Sequence, residues 1–195
     1  IAGGGSGVGI KQVGEGLVGI GNTGRAPTPE EISRYDLKVY QFAIDGIGVV
    51  VNPKQKIKEI KKEDLKKVFA GELNNWRDLG GSAGSINVYT RDTESGTRAT
   101  FWNRALDKGK ITEKANFVQS NAAMKTAIAG DPQGIGFIGL ATVDSSVKLL
   151  AVDGVFPTDD NVISGKYVIG RGVYMNTRGE PGPLAQAFIS YMLSA

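Results

Sequence analysis

The stretch RDTESGTR at 91–98 sets a guanidinium, Arg91, four residues ahead of two hydroxyls and a glycine, Ser95, Gly96 and Thr97. Arginine carries five N–H donors in a rigid fork that fits two oxygens of an oxyanion at once. Ser95 and Thr97 add hydroxyls, and Gly96 lets the backbone come close to a ligand. A strand-like run, Ile86–Tyr89, precedes the stretch, and a helix pattern carrying Phe101, Trp102 and Leu106 follows it. The amino end of such a helix has N–H groups without intrahelical partners and a partial positive charge. Two other places have the same make-up: GGGSGVG at 3–9, with Ser6 and Gly7, enters a helix pattern through Ile10, Val13 and Leu17, and QSNAAM at 119–124, with Asn121, opens another that reaches Ile128. The chemistry on offer is the holding of a small anion. At any one junction a Ser, Thr or Asn also serves as an ordinary helix cap, and Arg91 has Asp92 and Glu94 nearby as surface ion-pair partners. Three such junctions in one short chain favour a ligand.

The elements that must position these groups alternate. Apolar runs of strand length lie at Val39–Ile44, Ile47–Val51, Ile86–Tyr89, Ile135–Ile138, Val147–Val152 and Val168–Met175, with glycines, 28 in all, between them. Leu65, Val68 and Phe69 have helical spacing, and Leu184, Phe188, Ile189, Met192 and Leu193 form a longer apolar stripe behind Pro181 and Pro183. The pattern is that of an α/β protein whose ligand site collects where strands open into helices.

Composition narrows the chemistry. With 41% hydrophobic and 22% charged residues, the 195-residue chain has the balance of an ordinary globular protein. It contains no Cys and no His, which removes thiol nucleophiles, His-based triads and zinc sites of the usual kind. A net charge of +3, with Lys and Arg interleaved among Asp and Glu, lacks the concentrated basic stripe of a nucleic-acid groove. GGGSGVG matches neither the dinucleotide fingerprint nor the phosphate loop of nucleotide hydrolases, since Gln12 follows Lys11 where Ser or Thr is required. No metal ligand cluster and no cofactor motif is found, so an enzyme such as a phosphoester hydrolase is the less favoured reading.

Taken together and in order, AGGGSGVGIK at 2–11, IGNTGR at 20–25, YQFAIDGIGVVVNP at 40–53, LNNWRDLGG at 73–81, RDTESGTR, SNAAM at 120–124, GDPQGIGFIGL at 130–140 and ISGKYVIGR at 163–171 resemble the phosphate-binding proteins of ABC importers. The resemblance implies a two-lobed α/β protein of the type II periplasmic-binding fold, each lobe a sheet flanked by helices, with inorganic phosphate held in the cleft. It implies a non-enzymatic receptor, secreted or lipid-anchored on the periplasmic or extracellular face of the membrane, that hands phosphate to a membrane permease. Receptors for sulfate or molybdate, and phosphate sensors, use the same kind of scaffold. Carried over by position, Ser6, Gly7, Arg91, Ser95, Gly96, Thr97 and Asn121 are the expected phosphate contacts, and Arg91, not Arg171, is the expected arginine. The lobes are expected at 1–46 plus 139–195 and at 47–138. The Trp of LNNWRDLGG is expected to pack rather than to touch ligand.

Two departures stand out. Some members of that family carry an aspartate where this chain reads Thr23, Gly24 and Arg25. Asp45 is then the expected proton acceptor, with Arg25 adding positive charge, although an Asp-Gly pair also makes an ordinary turn. The opening Ile1-Ala2 reads as the tail of a strand, and the family has a further strand and helix before it. The first lobe is therefore expected to be completed by a segment outside this numbering or by a second copy.

Overall fold

The computed structural model describes residues 4–194, so the reading of Ile1-Ala2 as a strand tail lies outside the described residues. In chain order the elements are α1 (Ser6–Gly14), β1 (Gly21–Thr23), α2 (Pro29–Tyr35), β2 (Leu37–Val51), β3 (Glu59–Ile60), α3 (Lys62–Ala70), β4 (Asn87–Thr90), α4 (Gly96–Arg104), β5 (Asn116–Phe117), α5 (Asn121–Gly130), β6 (Gly134–Gly139), β7 (Lys148–Val152), α6 (Asp159–Ile163), β8 (Gly170–Arg178) and α7 (Pro183–Leu193). The chain divides into two compact units, one made of Ile1–Ile44, Glu94–Gly96 and Arg171–Ala195, the other of Asp45–Thr93 and Thr97–Gly170.

In the first unit β8 runs between β1 and β2. It pairs antiparallel with β1, from Gly21↔Asn176 to Thr23↔Tyr174. Asn176, fully buried, ties the pair further by donating from Nδ2 to Gly21 O at 2.8 Å and to Thr23 Oγ1 at 3.1 Å. The core here is small: Ile10, Val13 and Leu37, with Val18, Tyr35 and Val39 against them. The helix α2 starts with a capping box, in which Thr28 Oγ1 accepts from Glu31 N while the Glu31 carboxylate accepts from Thr28 N, and Pro29 fills the first turn. The stripe foreseen on α7 is only partly used. Ile189 is buried, whereas Leu184, Phe188, Tyr191 and Leu193 are exposed.

In the second unit β6 is buried along its whole length, antiparallel to β2 (Ile47↔Gly139 to Val51↔Ile135) and parallel to β4 (Asn87↔Gly134, Val88↔Ile135). The other partner of β2 is β7, which also pairs with β3. The alternation of a strand sends Ile47, Val49 and Val51 into one core, with Trp76, Leu65, Phe69, Phe101 and Phe137, and Val50 into a second, with Met124, Ile128 and Ile138. A strand buried on both faces reads as a continuous apolar run. Phe101 stacks on Phe137 at 4.2 Å between ring centroids and meets Phe69 at 4.8 Å, fastening α4 to β6 and α3. Trp76 is fully buried and donates from Nε1 to Gln133 O at 3.0 Å, a packing role as expected.

Three expectations change. The runs Val39–Ile44 and Ile47–Val51 are one 15-residue strand, β2, and Asp45-Gly46 makes no turn. Gly46 is there for close packing, since a Cβ on it would lie 2.5 Å from Leu140 Cδ1 and 2.7 Å from Val162 Cγ2. The helix α1 ends at Gly14, leaving Leu17 exposed beyond it. The chain crosses at 44/45, returns for Glu94–Gly96 and comes back finally at 170/171, where a return near Gly139 was expected. Residues 139–170 stay with the second unit because β7 pairs with β2 and Tyr167, buried, donates from Oη to Ile47 O at 2.9 Å, while Ile47 N donates to Ile169 O at 2.8 Å.

Candidate functional site

Within the first unit the expected residues gather at the start of α1. Gly5 caps this helix without a side chain, so Ser6, the first helical residue, keeps its hydroxyl for other work. Ser6 is buried, and its Oγ accepts from Gly24 N at 3.0 Å. A hydroxyl that accepts in this way still has its own proton to donate. Gly7 N donates to Glu94 O at 3.2 Å, which ties the tripeptide Glu94–Gly96 to the same helix start. Gly96 opens α4, and a Cβ on it would lie 2.1 Å from Ser6 Oγ and 3.3 Å from Gly24 C. Only glycine permits that approach. The first residues of α1 and α4 and the Gly24 loop thus form one contact, with Ser95 almost fully buried beside them in sequence.

Arg25 follows Gly24, but its fork is engaged: Nη1 and Nη2 donate to the two carboxylate oxygens of Glu31, each at 2.7 Å. That bond raises the Arg25 guanidinium further above its already high pKa and holds the Glu31 carboxyl below the usual carboxylate range, with the Thr28 N–H adding to the latter. The pair anchors the loop 23–26 to the first turn of α2. Arg25 therefore neutralises a carboxylate of its own chain, where a ligand role had been expected. A different arginine lies on the loop. Arg171 Nη1 donates to Gly24 O at 3.4 Å, and the guanidinium rests against Gly24, since a Cβ there would be 2.8 Å from its Cζ.

In the second unit Arg91, 7% exposed, follows β4 and donates from Nη1 to Asn121 Oδ1 at 3.3 Å. Asn121 is the first residue of α5, behind the cap Ser120, whose Oγ accepts from Ala123 N at 3.0 Å. Two of the junctions singled out in the sequence are thereby joined by a direct bond. Thr97, in the first turn of α4, is also buried. Asp45 lies half-buried inside β2 as the first residue of this unit. Nearby on β4, Tyr89 Oη donates to Asp131 Oδ2 at 2.9 Å and is pushed up to about 12 by burial and by that carboxylate. Among the described residues no group of three or more acidic, His or Cys side chains is placed to hold a metal ion.

Of the nine residues expected at the site, Ser6, Gly7, Ser95 and Gly96 lie together in the first unit, Arg91 and Asn121 are joined in the second, and Thr97 follows Gly96 directly. Gly24 and Arg171, which lie at the Ser6 contact, were not among the nine. Gly24 had a signal, as the centre of Thr23-Gly24-Arg25, whereas nothing around Arg171 in sequence marks it, because no helix start follows.

Comparison with known proteins gives a consistent outcome. A family model described as the PBP superfamily domain matches residues 1–195. The phosphate-binding protein PstS of Bacillus subtilis is 40% identical over 193 residues, 98% of this chain and 64% of that protein. PstS of Borreliella burgdorferi is 32% identical over 204 residues, covering 98% of this chain and 72% of the relative. The chain thus spans rather less than two thirds of its Bacillus relative. Among solved structures, a Clostridium perfringens substrate-binding protein assigned to phosphate ABC transport, with bound phosphate, superposes with a TM-score of 0.91 at 29% identity over 96% of this chain and 78% of that one. An ABC-type phosphate transport receptor from Vibrio cholerae gives a TM-score of 0.77 at 29% identity, over 99% and 80%.

Proposed function

This chain belongs to the PBP superfamily, and from that premise we propose that it is a solute-binding protein that captures inorganic phosphate for an ABC importer. The observation that carries the reading is the contact of Ser6, Gly24 and Gly96, where the amino ends of two helices and a hydroxyl converge. Helix amino ends and their dipoles suit a small, highly charged oxyanion. The second unit has anion-binding groups of its own in Arg91, Asn121 and Thr97, a charge-assisted bond contributing about 1.5–3 kcal/mol net against roughly 0.3–1 for a helix end. The relatives named above as phosphate-binding support the choice of anion.

In this reading the protein binds and releases without chemical change, works on the outer face of the membrane, and meets a permease there. None of its helices, among the described residues, is long and apolar enough to cross a membrane. The exposed stripe Leu184, Phe188 and Tyr191 on α7 is where a completing segment of a longer protein, or a second copy, would pack. Isothermal titration with phosphate, then with sulfate and molybdate, is the test. Saturable one-to-one phosphate binding that sulfate does not displace is expected. Displacement by sulfate at equal concentration would turn the reading to a general oxyanion receptor, turnover of a chromogenic phosphoester would turn it to an enzyme, and no binding at all would refute it.

A further inference from the structure

The strand β4 carries chemistry at both ends. Arg91 follows its last residue, while Asn87 and Val88, at its start, line a cavity of about 310 Å³ that lies wholly within the second unit. At about 3.3 Å per residue Asn87 and Arg91 stand roughly 13 Å apart, so this cavity is separate from the bond that Arg91 makes with Asn121. Val68 and Gly71 at the carboxyl end of α3, and the segment 112–116 that leads into β5, supply the other walls. Val68, Ile86 and Val88 are buried and give the cavity an apolar side. Asn74, Lys114 and Asn116 are exposed and stand where it meets solvent.

Much of the polar lining is uncommitted. Asn87 gives one amide proton to Asp131 Oδ2 at 2.9 Å and Asn116 gives one to Val88 O at 3.4 Å, which leaves each carboxamide a second. Thr112 Oγ1 accepts from Lys114 N at 3.3 Å and keeps its own proton to donate. Among the described residues neither the Asn74 carboxamide nor the Lys114 ammonium has a hydrogen-bond or ion-pair partner, and Lys114 is the one ionised side chain of the lining. We propose that this cavity is a second ligand site, independent of the phosphate reading, for a small aliphatic carboxylate. The carboxylate pairs with Lys114 and the carboxamide and hydroxyl donors, and a short branched chain lies on Val68, Ile86 and Val88. The volume is at the small end of the roughly 300–1,000 Å³ of ligand pockets, which suits a molecule of a few carbons. Phosphate is a poor occupant, since a dianion would meet a single lysine and an apolar wall that cannot solvate it.

The probe is 3-methylbutanoate, titrated into the isotope-labelled protein with phosphate in excess and followed through the backbone amide resonances. Saturable shifts centred on Gly71, Asn74, Val88 and Asn116 are expected, with a dissociation constant of about a millimolar. The uncharged isostere 3-methylbutanamide, and 3-methylbutanoate on Lys114→Gln, should each bind about threefold or more weakly, while the exposed-lysine control Lys54→Gln keeps native affinity. Failure to saturate by about 50 mM would overturn the proposal. So would shifts that excess phosphate abolishes or that centre on Arg91 and Asn121, because the carboxylate would then be sitting among the anion contacts. Equal affinity for the amide and the carboxylate would make the cavity a site for neutral molecules and would likewise overturn it, as would native affinity in Lys114→Gln. If that variant does not fold, the comparison of carboxylate with amide on the native protein decides alone.

Discussion

Gly96 has no room for a methyl group. Its missing Cβ would stand 2.1 Å from Ser6 Oγ, so alanine must push the start of α4 away from the start of α1 or turn the Ser6 hydroxyl out of its bond with Gly24. Gly96→Ala is accordingly expected to lower phosphate affinity by roughly tenfold or more, the worth of one well-placed charge-assisted bond, as read by titration. Native affinity in that variant would separate Ser6 and Gly96 from the ligand. Asp45 carries a different expectation. An ionised carboxylate only accepts hydrogen bonds, so it can pair with the proton of hydrogen phosphate and repels fully deprotonated sulfate. Asp45→Asn should therefore narrow the preference for phosphate over sulfate in competition binding, and an unchanged ratio would remove Asp45 from that role.

At the scale of elements, α2 shows how local chemistry fixes a loop. Glu31 accepts from the Arg25 fork and from Thr28 N at once, which joins the loop 23–26 to the helix cap. Because the Arg25 bond depresses the Glu31 pKa, the stabilisation is present above the unfolded-chain value of about 4.3 and is lost as pH falls through the lower, folded value. Glu31→Gln should cost about 1–2 kcal/mol near neutral pH, combining cap and ion pair. Chemical denaturation across pH should show the gap to the native protein shrinking below about pH 4; a gap independent of pH would exclude the carboxylate charge as its source. The same helix marks a limit of sequence reading. Thr28-Pro29-Glu30-Glu31 is a legible start signal, but none of the seven residues of α2 is buried, so no apolar period drew attention to it. β1, β3 and β5 have two or three residues each, too few to alternate. The strands of the second unit and the three helix starts were legible because burial on both faces and capping chemistry are written in neighbouring residues. Arg171 was not, because what brings it to Gly24 is the pairing of β8 with β1, a contact between distant parts of the chain.

At the scale of the molecule the units differ in how they are held. The second has cores on two faces of β6 and carries the whole charge excess of +3, while the first has equal numbers of acidic and basic residues and, among the described residues, a smaller buried cluster around Ile10, Val13 and Leu37. The first unit thus has no net field to steer an anion, and what it can offer one is local donors. Its assembly from three separate stretches also sets a schedule for the protein during synthesis. The bond from Asn176 to Gly21 joins residues 155 apart in sequence, and among the described residues β8 is the strand that β1 pairs with. As the chain leaves the ribosome, α1, β1 and α2 emerge before the second unit and must wait for β8, while Asp45–Thr93 and Thr97–Gly170 can already collapse on their own core. Force-sensing arrest of nascent chains should register one folding event once the residues up to Gly170 are out, and a second only after β8 has cleared the tunnel. The stretch from α1 to α2 is thus made before the second unit and acquires its structure after it.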